Sequence, residues 1–345
     1  MVIIDGDKGE GGGQVLRTSL ALAGILGEPV EIHNIRAGRS EPGLRPQHST
    51  AVEAIEVITR GKVEGNKIGS TSLVFEPGNI EPGHYDFEIG TAGSTQLVLQ
   101  TIYLPLAMAE DESRIKISGG THVPWSPPFE HSDLVWRKAI SRMGINLSLK
   151  LLSAGFYPQG GGRIDVKIKG KSKIKPISLT QRGKLKSLKT YGAVANLNDK
   201  IAERMIRCVS RTAKQVGIPA KSVKKDVIRP SCHRQGAYVF VQLDYGNTRY
   251  GSIGLGEPGK RAEVVAAEAW EDIEQYFHAA EPVGPYMADQ LLLPLSVASG
   301  ESEFVTTRIT PHLITNAWVI EAFGAAKVEI DGNEGGPGTV KVKPV

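Results

Sequence analysis

Apolar residues recur along this chain in three blocks that share one plan. In the first, residues 15–25 are apolar on nearly every turn, interrupted by Arg17, and predict a helix packed on an apolar surface. Residues 29–35 follow Gly27 as a strand, and a second helix runs from about 46 to 59, where Val52, Ile55 and Ile58 fall three apart and Gly61 closes the run. Residues 62–64 and 72–75 read as strands completing the block. The second block repeats this with a helix at 96–108, a strand at 114–118, a helix at 129–143 and strands at 145–151 and 163–168. A third opens at Ala288-Asp289-Gln290 and passes through Thr310-Pro311-His312. In each, a Gly- or Asp-rich turn precedes a Gln (Gln14, Gln96, Gln290) that opens an apolar helix, and a second helix opens near a histidine (His48, His131, His312). Helix N-termini bind anions, and here six are built alike. The expected class is α+β, with two helices against a four-stranded sheet in each copy.

The interval from His131 to His312 exceeds that from His48 to His131 by roughly one hundred residues, which calls for an inserted domain between the second and third copies. Its expected span is 184–277, leaving 1–183 and 278–345 as the repeated body. Texture changes there: a basic start at Lys184, Lys186 and Lys189, an amphipathic segment over 201–216, strand-like 238–243 and a helix over 261–277 make a small sheet-and-helix domain. The charge run at 221–225 reads as a solvated face. Gly254 to Lys260 has the spacing of a phosphate-binding loop, but Arg261 stands where that loop needs Ser or Thr, so a Gly-rich turn capping the 261 helix is the preferred reading.

Composition narrows the class. With 40% hydrophobic residues in 345, the chain can bury a full core larger than one average domain. A net charge of only +4, from 41 basic and 37 acidic residues, confines any nucleic-acid contact to a local patch. Two cysteines, Cys208 and Cys232, make no disulfide framework. No basic leader opens the sequence and no run approaches the ~20 apolar residues of a membrane span, so a soluble, cytoplasmic protein is expected.

Candidate chemistry gathers in three places. Glu10-Gly11-Gly12-Gly13-Gln14 sets a carboxylate before backbone N–H groups that can approach a polyanion while Glu10 holds a divalent cation; a plain Gly turn from strand to helix would read the same way. Arg17, on an apolar helix, needs an anionic partner. From Arg36 to His48, four groups able to be cationic (Arg36, Arg39, Arg45 and His48) share one loop, which either meets phosphate or is merely solvated. His312 is placed as the second helical residue after a Thr310 cap and Pro311, where the helix dipole disfavours imidazolium and leaves a ring nitrogen free to attack phosphorus. By the repeat plan Tyr286, Asp289 and Gln290 open the helix that faces the same cleft.

Glu10-Gly11-Gly12-Gly13-Gln14, Arg36-Ala37-Gly38-Arg39, Arg45-Pro46-Gln47-His48, Gly155-Phe156-Tyr157-Pro158-Gln159-Gly160-Gly161-Gly162, Ala288-Asp289-Gln290-Leu291 and His312-Leu313-Ile314-Thr315-Asn316 together resemble the RNA 3'-terminal phosphate cyclases, over nearly the whole chain. The resemblance implies repeated units like the C-terminal domain of bacterial translation initiation factor three, with one small inserted domain. It implies an ATP-dependent reaction in which His312 takes AMP as a covalent histidinyl-AMP, passes it to an RNA 3'-phosphate, and the vicinal 2'-hydroxyl displaces AMP to close a 2',3'-cyclic phosphate. Carried over by position, Glu10 is the metal- and nucleotide-side carboxylate for Mg or Mn, and Arg17 acts with His312 in catalysis. Pro128, Tyr286, Asp289, Gln290 and Gln100 line the nucleotide pocket, with Tyr286 stacking on adenine. Arg36, Arg39, Gln47 and His48 handle the phosphates or the RNA end. Around residues 250–253 the sequence departs from the family pattern, which carries an aromatic residue near there. His131, beside Trp125-Ser126-Pro127-Pro128-Phe129, is assigned a structural place or one supporting the residues that touch the ligand. ATP and an RNA with a 3'-phosphate end are the expected partners, and a homodimer is a candidate assembly. The rivals are a non-catalytic cyclase-like scaffold in ribosome assembly and an ATP-dependent kinase or ligase using Lys260.

Overall fold

The computed structural model describes residues 1–345. The first block contains β1 (Val2–Asp5), α1 (Gly13–Leu26), β2 (Val30–His33), α2 (Pro46–Thr59), β3 (Lys62–Glu64) and β4 (Leu73–Glu76). The second contains β5 (His84–Glu88), α3 (Thr95–Met108), β6 (Ser113–Gly119), α4 (Arg137–Arg142), β7 (Leu147–Ser153) and β8 (Gly162–Ile168). Then come β9 (Ser178–Leu179), β10 (Ser187–Ala195), α5 (Lys200–Gln215), β11 (Val223–Ile228), β12 (Gly236–Asp244), β13 (Arg249–Leu255) and α6 (Ala262–His278). The chain ends with α7 (Pro285–Leu295), β14 (Ser302–Thr306), α8 (Pro311–Ala322), β15 (Ala326–Gly332) and β16 (Gly338–Pro344).

Three sheets have one topology: β1-β2-β4-β3, β5-β6-β8-β7 and β9-β14-β16-β15. In each, the first strand runs parallel to the second while the other pairings are antiparallel. The α+β class and the four-stranded sheet with two helices per copy are therefore as expected. The leading strands β1, β5 and β9 escaped the sequence reading, as did β10, β11 and β13, and β14, β15 and β16 of the third copy have no bounds in it. The expected helix over 129–143 is also modified, because His131–Trp136 forms a π-helical turn that runs on into α4. No helix is long and apolar enough to cross a membrane.

The fourth sheet, ordered β11-β10-β12-β13, interrupts the third copy between its first strand and first helix. A cluster of 62 buried apolar residues runs through all three copies, so these share a core, whereas 20 others form a separate cluster around α5, α6 and the fourth sheet. Ala193, Tyr238 and Phe240 of that sheet join the larger cluster, showing which face meets the body. Helix α1 explains why its segment is apolar all round: residues 15–24 are buried because it packs on α2, α3 and α8. It stops at Gly27, whose left-handed backbone (φ 70°) lets its N–H reach the Ala23 carbonyl.

Candidate active site

The N-terminal parts of α1, α3, α7 and α8 converge on a cavity of about 460 Å³. Among the expected site residues, Arg17 enters from the first copy, Gln100 and Pro128 from the second, and Tyr286, Asp289, Gln290 and His312 from the third. Ser252, Ile253 and Asp272 of the fourth sheet and α6 complete the wall. The site exists only where all four sheets' territories meet.

His312 is the second residue of α8. The Thr310 side chain caps the helix by accepting from the Leu313 N–H at 3.1 Å, and Pro311 occupies the first turn. The imidazole is about half exposed, and its Nε2 lies 3.9 Å from Glu10 Oε2. Burial, seconded by Arg17 and Arg39, lowers its pKa against the opposing pull of Glu10. The ring is thus neutral and carries a lone pair at neutral pH.

Glu10 is held by the turn that carries it. Its N–H donates to Thr315 Oγ1 at 3.1 Å, and its Oε2 accepts from Arg39 at 2.5 Å. Its Oε1 is buried with no partner. A Cβ on Gly12 would stand 2.4 Å from that carboxylate, so the residue there must be glycine for Glu10 to fold back over the turn.

Arg17 is buried at 8% exposure. Its Nη2 donates to Gln14 Oε1 at 2.9 Å while its Nε has no partner. Burial pulls its pKa down to about 10, resisted by Glu10 and Asp289, so it remains a cation with unspent donors facing the cavity. Asp289 is the complement: burial pushes its carboxyl up to about 7 against Arg17's influence, and its Oδ1 is unpartnered. Gln290 Oε1 lies 3.4 Å from His131 Nε2, and burial keeps His131 neutral with a pKa of about 4. His131 therefore lines the cavity and contacts Gln290, a placement the sequence did not assign.

The basic loop needs correction. His48 is no cation: burial, with Arg17, Arg36 and Arg45 nearby, drops its pKa to about 3, and its Nδ1 accepts from the Arg45 N–H at 3.1 Å. Arg36 donates to the Glu41 and Gly43 carbonyls, both at 2.8 Å, and so braces its own loop. Arg45 pairs with Glu41 at 2.9 Å. Gln47 accepts from the Ser94 N–H at 2.9 Å, tying α2 to the start of α3. Arg45 thus has an anionic partner within the loop, Arg36 commits only its Nη1 to loop carbonyls, and Arg39 reaches forward to Glu10. Glu10, Arg36, Arg39, Gln47 and His48 do not line the cavity itself, although Glu10 meets His312 at its edge.

Two further groups had no role in the sequence reading. Asn316 Oδ1 accepts from Thr18 at 2.6 Å and Gln14 at 3.2 Å, and its Nδ2 donates to the Asp289 carbonyl at 3.2 Å. Thr315 and Asn316 lie three and four residues past His312, so one face of α8 carries the nucleophile candidate and the clamps on α1 and α7; that spacing was the available signal. Behind the cavity, the Tyr238 hydroxyl donates to Glu130 Oε1 at 2.5 Å, and His122 Nε2 meets Glu130 Oε2 at 2.8 Å. Burial alone would raise the Glu130 pKa, yet His122 and Tyr238 hold it low. This carboxylate, next to His131, ties the fourth sheet to the body.

The Gly254 loop behaves as a turn. A Cβ on Gly254 would stand 1.9 Å from the Val265 carbonyl, so the strand is pressed on α6, and Lys260 is occupied by Leu255 O at 3.1 Å and Glu268 at 2.6 Å. Tyr250, in the segment that departs from the family pattern, stacks on Tyr276 with centroids 4.3 Å apart and is buried, leaving Ile253 on the cavity.

Comparison with known proteins identifies the family. A family model described as RNA 3'-terminal phosphate cyclase matches residues 8–330. A protein of that name from Methanopyrus kandleri is 40% identical, covering 100% of this chain and 99% of its own length. Another from Trichormus variabilis is 40% identical over 97% of both chains, and one from Pyrobaculum aerophilum 38% identical over 93% of this chain and 92% of its own. Among solved structures, the enolpyruvyl transferase NikO from Streptomyces tendae aligns with a TM-score of only 0.41 at 10% identity, too slight a likeness to inform function. With a match spanning nearly every element that builds the cavity, the chain belongs to the RNA 3'-terminal phosphate cyclase family.

Proposed function

We propose that the protein converts an RNA 3'-phosphate to a 2',3'-cyclic phosphate at the expense of ATP, through a covalent adenylate on His312. The observation that carries this reading is a neutral His312 at a capped helix N-terminus, sharing one cavity with a buried Arg17 whose Nε is unpartnered.

His312 Nε2 attacks the α-phosphorus of ATP; a P–N bond forms, the bond to pyrophosphate breaks, and the imidazole becomes cationic as Glu10, 3.9 Å away, offsets its charge. Arg17 and the open N–H groups of α8 receive the charge developing on the phosphoryl oxygens. An oxygen of the RNA 3'-phosphate then attacks the same phosphorus and releases neutral histidine. Finally the 2'-hydroxyl attacks the 3'-phosphorus, loses its proton, and expels AMP. Tyr286 and Pro128 flank the adenine, Asp289, Gln290 and Gln100 set its orientation, and Arg39 steadies Glu10. Arg36, Gln47 and His48 act indirectly, by fixing the loop and helix ends that carry Arg39.

No cluster of three or more His, Cys, Asp or Glu groups is suited to a metal. The buried, unpartnered Glu10 Oε1 fits a single carboxylate contact to Mg or Mn arriving on the nucleotide phosphates, where such a cation would neutralise pyrophosphate charge. Residues 184–277 are proposed as an inserted domain on a body of 1–183 and 278–345; the separate sheet and apolar cluster support that division.

The test is to incubate the protein with α-labelled ATP and Mg or Mn, without RNA, and to look for acid-labile label on the denatured chain. Label in the wild type and none in His312→Ala is expected. Wild type that stays unlabelled with either metal refutes the covalent route and leaves the scaffold reading.

A further inference from the structure

Trp125 is the most exposed aromatic side chain of the protein, at 98%, and it belongs to the cavity wall. Its backbone is left-handed, with φ at 58°. Bulky residues avoid that region, and strain of this kind persists where the surroundings over-determine it, most often at ligand sites. Here Pro124, Pro127 and Pro128 stiffen the segment, and Ser126 Oγ donates to the Val123 carbonyl at 3.2 Å. A hydrophobic ring is thus held out in water at the rim of a phosphate-handling cavity.

We infer that Trp125 is the stacking platform for the 3'-terminal nucleobase of the RNA substrate. The inference rests on the reaction proposed above and names how that site grips its second substrate. An aromatic ring that helped to enclose the adenine would be half covered already, as Tyr286 is at 50% exposure. A ring that projects almost wholly from the wall meets a part of the substrate lying outside the cavity. Of the two substrates only RNA extends there, because its terminal phosphate must reach His312 while the attached nucleoside trails to the mouth. Stacking on a flat π-face tolerates any base, which suits an enzyme that recognises an end and not a sequence. The small net charge of +4 supplies little overall attraction for the strand, which leaves more of its grip to contacts such as stacking.

Binding of short single-stranded RNAs with a 3'-phosphate, one carrying a normal terminal nucleotide and one an abasic terminal nucleotide, tests this. Binding is read from the anisotropy of RNA labelled at its 5' end, which serves the Trp125 variants as well as the wild type. In the wild type, where Trp136 and Trp270 are buried and Trp318 lies under Lys8, fluorescence quenching adds a report mainly on Trp125. Removing the terminal base is expected to weaken binding by the wild type about tenfold or more, and binding by Trp125→Ala less than twofold. Trp125→Phe, which keeps a π-face, retains most of the wild-type preference. The inference is overturned if base removal costs wild type and Trp125→Ala the same factor. It is also overturned if Trp125→Ala loses protein labelling by ATP in step with cyclisation, which would place the ring on the adenylate. RNA binding through Trp125 without cyclic ends would sink the proposed reaction while supporting the platform.

Discussion

Replacing Asp289 by Asn stabilises the protein at alkaline pH and leaves it nearly unchanged in acid. The buried carboxyl of Asp289 titrates at about 7 in the folded chain against an ordinary 3.8. Between those values the folded state keeps a proton that the unfolded state has released, so stability from this group is complete below 3.8 and is lost as pH rises towards about 7. At ~1.4 kcal/mol per pH unit, that gap costs the wild type on the order of 4 kcal/mol above neutrality. Asparagine has no such cost. With an unfolding entropy of roughly 2 cal/mol/K per residue over 345 residues, the melting temperature rises by about 6 °C at pH 8. The two curves converge only below about pH 3.8, where the carboxyl is protonated in the folded and the unfolded chain alike. The assay is calorimetric melting of both proteins from pH 3.5 to 8, where their difference cancels the titrating groups that lie away from Asp289. A gap that does not vary with pH, or an asparagine variant that melts lower at pH 8, would refute the account of a carboxyl kept protonated by burial.

Three other outcomes follow from the geometry. Tyr238→Phe removes the donor to Glu130 and lowers stability by about 1–3 kcal/mol in urea titrations, because the carboxylate stays buried; an unchanged midpoint contradicts the network. Thr310→Ala costs about 1 kcal/mol by uncapping α8 and also lowers protein labelling by ATP, since His312 depends on that helix end. Lys260→Met changes labelling less than twofold and stability by no more than ~1 kcal/mol, whereas a working phosphate loop would lose all ATP chemistry.

Period and punctuation made long elements legible. The helix expected over 46–59 has those bounds because its apolar spacing, Pro46 and Gly61 all agree. Short strands escaped for physical reasons: β9 has two residues, and β1 is four residues whose Ile3 faces water, so neither shows an alternation. The site was legible where residue type dictates need, as with an arginine on an apolar helix. It was illegible where partners decide the role. His48 looks like a cation in a list of charges, yet burial keeps it neutral, and Arg36 commits one guanidinium nitrogen to loop carbonyls. Asp289 looks ionised, and only its surroundings hold the proton.

Interrupting the third copy sets an order of assembly. Strand β9 meets β14 only after the ribosome has made everything between Leu179 and Ser302, while the first two copies complete their sheets from contiguous sequence. The delay is tolerable in equilibrium terms, since closure entropy grows only logarithmically with loop length, and a segment that folds first brings its own ends together. Its temporal effect is larger. His312 and Asp289 belong to the last copy, so a nascent chain carries Glu10 and Arg17 long before it carries their counterparts. On the proposed route, competence to take AMP thus arrives at the end of synthesis, and ribosome-bound chains stopped before α8 should take no label from ATP.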